Sequence, residues 1–434
     1  MAKTARDIAL SALMAFRKGG AWADGYLKDA LKEAELSKRD ASLASQITYG
    51  VLQNLSLLDF YIGKFSSIKM NKISPRIIDV LRVGIYQLIF LDRIPTHAIV
   101  NEAVKAARRD NPRAAGFVNA VLRKISGEKE NLPEPVDMAT KYSHPVWLVD
   151  RLKSVYSDET EDILKENNKI PPICARVNTL VTNTVSLIEE LIKEGVNAEK
   201  HPWLEDCVTL SETGDISATN AFKEGKFHIC DPASQMCARA LGVVPENRVL
   251  DTCAAPGGKS FTIAQYLGGK GELVSCDIHK HKIKLLDSGA KRLHIKNVSA
   301  TLSDGRNFRE EWENSFDAVL CDVPCSGIGV IRKKPEIRFK KEEEIARLPE
   351  IQLEILKNAS RYVKPGGCLV YSTCTILPEE NGDVVNAFLI ENDDFSREEM
   401  TLSCPNGTNK GEITLLPHKN ECDGFFICKL RRAK

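Results

Sequence analysis

From Arg248 onward, short apolar runs alternate with stretches of helical periodicity, the pattern of a parallel sheet with crossover helices. The runs are Val249-Leu250, Leu273-Val274-Ser275-Cys276, a weaker Val298-Ser299-Ala300-Thr301-Leu302, Ala318-Val319-Leu320-Cys321, Cys368-Leu369-Val370-Tyr371 and Phe425-Phe426-Ile427-Cys428. In an open α/β sheet a ligand lies past the carboxyl ends of the strands, so the polar residues that close each run carry the functional information.

The front of the chain obeys a different period. Ala5, Ile8, Ala9, Ala12, Leu13 and Phe16 recur at helical spacing, as do Ile99, Ala103, Val104 and Ala107. An all-α bundle is expected over 1–127, with breaks at Gly19-Gly20, Ser74-Pro75, Pro95 and Asn111-Pro112 and a linker over Gly127 to Pro135. Residues 140–239 mix helical patterns such as Val185 to Ile192 with strand-like pieces such as Ala175-Arg176-Val177-Asn178, and read as a small α+β unit. The α/β unit then occupies 240–434.

Net charge is +1, but 1–127 carries 20 Lys and Arg against 11 Asp and Glu. That surplus suits a polyanion footprint and a solvated helical surface equally well. No run approaches the roughly 20 apolar residues of a membrane span, and the first residues lack the apolar stretch of a signal peptide, so a cytoplasmic protein is expected. Thirteen cysteines, an odd count in a large chain, are read as reduced thiols. Cys321 and Cys325 have no matching second pair downstream, so no metal is expected.

The first run of the α/β unit ends in Asp251-Thr252-Cys253-Ala254-Ala255-Pro256-Gly257-Gly258-Lys259-Ser260. Glycines there let a ligand approach the backbone, and the next helix offers its N-terminus. Asp277 closes the second run, where a carboxylate can accept from both ribose hydroxyls of a nucleoside. Asp304 and Asp322 follow the third and fourth runs. Gly258-Lys259-Ser260 with Asp322 also imitates a nucleotide triphosphatase, but a phosphate loop needs glycine where Cys253 stands, and Pro256 removes a backbone donor.

Two cysteines emerge on the ligand side: Cys325 in Asp322-Val323-Pro324-Cys325-Ser326-Gly327 and Cys374 in Tyr371-Ser372-Thr373-Cys374-Thr375. Cys230, Cys237, Cys276, Cys321, Cys368 and Cys428 read by default as small buried hydrophobes. A thiolate in such a place serves alkylation at an unreactive ring carbon. It adds to C6 of cytosine, C5 becomes nucleophilic and takes a methyl group, and loss of the C5 proton with expulsion of sulfur restores the ring. Asp322 is the candidate acid at N3. The base must then be single-stranded or extruded from its helix.

The strings Asp231-Pro232-Ala233-Ser234-Gln235, Asp251 to Lys259, Asp322 to Gly327, Ser372-Thr373-Cys374 and Asp423-Gly424-Phe425-Phe426 resemble the RNA cytosine-C5-methyltransferases of the Sun and nucleolar-protein family. Thr96 to Val104 and Phe117 to Leu122 resemble the helical domain of the antitermination factor NusB, a fusion similar to the bacterial small-subunit rRNA members of the family, as are His144 to Leu148 and Arg176 to Thr179. The resemblance implies a NusB-like RNA-binding domain, a small α+β domain and a Rossmann-like class I methyltransferase domain. It implies S-adenosylmethionine as cofactor, no metal, and action as a monomer on 16S rRNA, naked or partly assembled, at cytosine 967. By motif, the nucleophile falls on Cys374, and Cys325 aids release of the methylated base. Cofactor positions fall on Cys253, Ala254, Ala255, Pro256, Gly257, Gly258, Lys259, Asp277, Asp304 and Asp322, the last also facing the base. A non-catalytic RNA-binding assembly factor would use the basic front alone, and a DNA cytosine methyltransferase would make Cys325 the essential thiol.

Overall fold

The computed structural model describes residues 3–19, 23–34, 36–402, 404–405 and 410–434; Gly20 of the expected Gly19-Gly20 break lies outside them. The chain divides into two compact units, Met1–Lys169 with Lys334–Lys340, and Ile170–Lys333 with Lys341–Lys434.

In the first unit the apolar stripes form helices Ala5–Gly19, Ala23–Glu33, Lys38–Gln53, Leu55–Phe65, Pro75–Phe90, Thr96–Asp110 and Ala114–Gly127. The Ser74-Pro75 break is a helix start: the Ser74 hydroxyl accepts from the Ile77 N–H, and Pro75 occupies a first-turn position where its missing donor costs nothing. Pro95 caps the next helix, and Asn111 ends it. Ala9 and Leu13 pack with Ile47, Leu81, Ile99 and Leu122 in a closed apolar core. Among the described residues of this unit the buried acid is Asp79, paired with Arg17 and Arg82, each at 3.1 Å.

Three further helices, Met138–Lys141, Val146–Tyr156 and Thr160–Glu166, also belong to this unit. The division therefore falls at Lys169, inside the 140–239 segment that the sequence suggested as a separate α+β unit. One reason comes from far along the chain. Arg338, 1% exposed, donates from Nη1 to the carbonyls of Gln53 (2.5 Å) and Ser143 (3.0 Å), and from Nη2 to Asn168 Oδ1 at 3.1 Å. Burial pulls its pKa down to about 9. The Phe339 ring packs 4.9 Å from that of Phe16.

The second unit holds two sheets. Strands β1 (Ile173–Val177), β2 (Asn197–Lys200), β3 (Cys207–Ser211) and β4 (Phe227–Ile229) form an antiparallel sheet in the order β2-β3-β1-β4. Helix Thr184–Lys193 sets Leu187 and Leu191 against Val177, Val208 and Phe227. The larger sheet contains β5 (Arg248–Asp251), β6 (Glu272–Asp277), β7 (Val298–Leu302), β8 (Phe316–Asp322), β9 (Val363–Thr373), β10 (Phe395–Arg397), β11 (Glu412–Leu415) and β12 (Phe425–Arg432). Its order is β10-β12-β9-β8-β5-β6-β7, with β11 paired to β12.

Strands β5 to β9 run parallel and β12 runs antiparallel to β9. Alternate residues feed two apolar layers: Val249, Leu273 and Leu320 on one face, Leu250, Val319 and Tyr371 on the other. The fold class is the expected one: a helical front, a small α+β sheet and a mostly parallel Rossmann-like sheet. Strand order reverses between β5 and β8, which opens a crevice at their carboxyl ends.

Candidate active site

Where β5 ends, the chain turns into helix Gly258–Tyr266 through Gly257, whose φ of +112° favours glycine. A Cβ there would lie 2.4 Å from the Phe261 ring, so space excludes a side chain as well. The Ser260 hydroxyl donates to Asp251 Oδ2 at 2.6 Å, while Asp251 Oδ1 is buried with no hydrogen-bond partner. Burial raises the Asp251 pKa to about 7. Asp231, Ser234, Asp251, Ala254, Ala255, Pro256, Gly258, Lys259 and Asp322 line one cleft of about 180 Å³.

Asp322 closes β8, in register with Ser372 of β9. Its Oδ1 accepts from the Ser372 hydroxyl at 2.8 Å and its Oδ2 from Lys259 Nζ at 2.7 Å. Burial opposes the charge of Lys259, but Asp322 outweighs it and holds the ammonium well above its ordinary pKa. The same Nζ lies 4.9 Å from the centre of the Phe425 ring.

Asp277 and Asp304 are not among the residues of that cleft. Asp277 Oδ1 accepts from the His279 N–H at 2.9 Å, and Oδ2 lies 3.4 Å from Lys282. Asp304 lines a smaller hollow with Thr252, Cys276 and Gly305, and its two oxygens accept from Arg306 Nε and Nη2. Cys253 packs against the apolar layer under β5, where burial holds its thiol neutral.

Three residues beyond Asp322 and two beyond Ser372, the chain brings Cys325 Sγ and Cys374 Sγ within 3.2 Å of each other. The turn between them is tightly laced: the Gly329 N–H donates to the Cys374 carbonyl at 3.0 Å, and the Gly424 N–H to the Gly329 carbonyl at 2.9 Å. A Cβ on Gly329 would meet the Gly424 oxygen at 2.0 Å. The hydrogen bond to Cys374, with burial added, holds the Cys325 thiol well above its ordinary pKa. Cys325 is therefore held as the neutral member of the thiol pair. Cys230, Cys237, Cys276, Cys321, Cys368 and Cys428 are buried. Sequence reasoning gave no role to Asp251 or Ser372, although both stand in the quoted strings; burial and register, which single them out, have no local signature.

Residues 238–431 match the family model of 16S rRNA methyltransferase RsmB/F, residues 3–127 that of the NusB family, and residues 144–217 that of a ferredoxin-like domain of RsmF/B-like methyltransferases. A Bacillus subtilis protein named probable ribosomal RNA small subunit methyltransferase B is 40% identical, covering 100% of each chain. The chain belongs to the RsmB/F family. Ribosomal RNA small subunit methyltransferase B of Klebsiella pneumoniae is 35% identical over 93% of this chain and 92% of its own. Among solved structures, that of PH0851 superposes with a TM-score of 0.81 at 29% identity, covering 98% of this RsmB/F chain and 97% of its own. NSun6 from Pyrococcus horikoshii, solved with SFG, shares the fold at a TM-score of 0.59 and 24% identity, over 67% of this chain and 98% of its own.

Proposed function

We propose that this protein methylates C5 of a cytosine in 16S rRNA, cytosine 967, through a transient bond from Cys374 Sγ to C6 of the base. Membership of the RsmB/F family makes it an S-adenosylmethionine-dependent rRNA methyltransferase. The observation that carries the finer reading is the pair of thiols, 3.2 Å apart, at the ends of neighbouring strands β8 and β9.

The residues around the cleft fit the cofactor. The segment Ala254 to Gly258 borders room for a ligand, Asp251 keeps a buried acceptor unpaired, and Asp277 and Asp304 stand at the next strand ends for the nucleoside. When bound, S-adenosylmethionine supplies an electrophilic methyl group on a sulfonium.

The protein's own groups prepare the base to receive it. Cys374 adds to C6 and makes C5 nucleophilic. Asp322, fixed by Lys259 and Ser372, orients the ring at N3, and the ammonium of Lys259 offsets charge that develops there. Once C5 is methylated, its proton passes to solvent water, the electron pair restores C5=C6 and the C6–S bond breaks; Cys325 aids release by donating its S–H to the departing sulfur of Cys374. A single chain in the cytoplasm acts on naked or partly assembled rRNA, and the basic helical front adds affinity for phosphate.

Cys374→Ala is expected to lower methyl transfer about a thousandfold or more, with cofactor affinity nearly unchanged, in a labelled-cofactor assay on 16S rRNA. Substantial residual transfer would refute the assignment. Cys325→Ala is expected to trap the covalent protein–RNA adduct, visible on a denaturing gel, because addition proceeds and release stalls.

A further inference from the structure

Behind the thiol pair lies a buried acid that the chemistry above does not use. Glu380, 1% exposed, accepts through Oε2 from the Ser326 N–H at 2.8 Å and from Gln352 Nε2 at 2.9 Å. Gln352 Nε2 also donates to the Pro324 carbonyl at 3.0 Å, so the two side chains grip the backbone on both sides of Cys325. The Tyr371 hydroxyl donates to the Glu380 carbonyl at 2.6 Å. On the other side, the Ser326 hydroxyl donates to Thr375 Oγ1 at 2.9 Å, and Asn381, next to Glu380, donates from Nδ2 to the Thr375 carbonyl at 3.1 Å. Both cysteine turns are thus referred to one residue pair, Glu380 with Asn381.

We infer that Glu380 is a positioning residue which, with Gln352, locks the Pro324–Ser326 turn so that Cys325 remains the hydrogen-bond donor of the thiol pair. A carboxylate sealed behind the turn serves this purpose in two ways. Its oxygen satisfies a buried N–H that would otherwise leave the turn free to move. Its charge disfavours a second anion at Cys325, acting with Cys374 and Asp322; the Tyr371 phenol also faces this thiol. Cys325 is thereby kept as the neutral member of the pair. The inference rests on the Cys374 reading above, but part of its test needs no RNA.

The test uses the full-length chain in the Cys374→Ser background, and follows alkylation of Cys325 by iodoacetamide against pH, read by peptide mass spectrometry. Glu380→Gln keeps the shape and removes the charge. It is expected to move half-maximal alkylation down by about one pH unit, a rate gain of about tenfold below the midpoint. A role in stability alone would shift the melting temperature and leave that midpoint in place, and an unmoved midpoint overturns the inference. Gln352→Met keeps the charge and removes the brace. In the otherwise unaltered enzyme it is expected to lower methyl transfer about tenfold with cofactor affinity within twofold, and an unchanged rate also overturns the inference. Should Glu380→Gln fail to melt cooperatively, the Gln352 variant alone decides. If the unaltered protein incorporates no label into rRNA, the cytosine reading fails, whereas the alkylation midpoint still reports on Glu380.

Discussion

The two edges of the large sheet use the same residue types to opposite ends. Where the strands begin, Arg248 meets Glu272 at 2.8 Å and Lys364 meets Asp317 at 2.6 Å, all four partly open to water. Asp317 is partly buried, yet Lys364 and the Arg248 N–H outweigh that and leave its pKa below the usual carboxylate range. Where the strands end, Asp251 is sealed from solvent, lacks a partner on one oxygen, and titrates near neutrality at about 7. An acid that costs nothing at one edge is costly at the other, and such costs are tolerated where a ligand can offset them.

Removing a charge at each edge separates the two. The largest effect is expected from Lys259→Met, which removes the counter-ion of Asp322 beside the cleft: methyl transfer should fall about a hundredfold. A fall of less than threefold would put this edge on a par with the other. Next is Asp251. Its folded pKa of about 7 lies above the ordinary 3.8, so its contribution to stability is intact at low pH and is lost as pH rises through about 7. Urea unfolding of the protein and of Asp251→Asn should therefore diverge by on the order of 4 kcal/mol between pH 4 and pH 8, the native residue losing ground as pH rises. Parallel pH profiles would mean that Asp251 is ionised without penalty. The smallest effect belongs to Arg248→Ala, expected to cost about 1 kcal/mol or less and to leave methyl transfer unchanged.

What could be read from the chain follows the range of the forces involved. The six apolar runs all became strands; five are patterns that burial imposes, whereas β7, at the sheet edge, is only partly buried and its run is correspondingly weak. Strands β10 and β11 went unread because three or four residues at the sheet margin, held by pairing with β12, carry no periodicity of their own. The motif cysteines announced themselves through the turns that follow their strands. Their spacing of 3.2 Å did not, because it depends on the β8–β9 register. Gln352 and Glu380 were equally silent: a glutamine in a helix and the second glutamate of a Pro-Glu-Glu turn look like surface residues until the fold buries them. The part of Arg338 in the helical unit was silent for a similar reason, since its partners Gln53, Ser143 and Asn168 lie far from it in sequence.

That arginine also bears on how the protein can be taken apart. The chain passes between its two compact bodies at Lys169, at Lys333 and again at Lys340, so no single cut yields either one whole. A fragment beginning at Ile170 keeps the guanidinium of Arg338 and discards Gln53, Ser143 and Asn168, which receive its protons. The front of this molecule is not a detachable accessory, and its loss would leave a stranded cation in the polypeptide that joins β8 to β9.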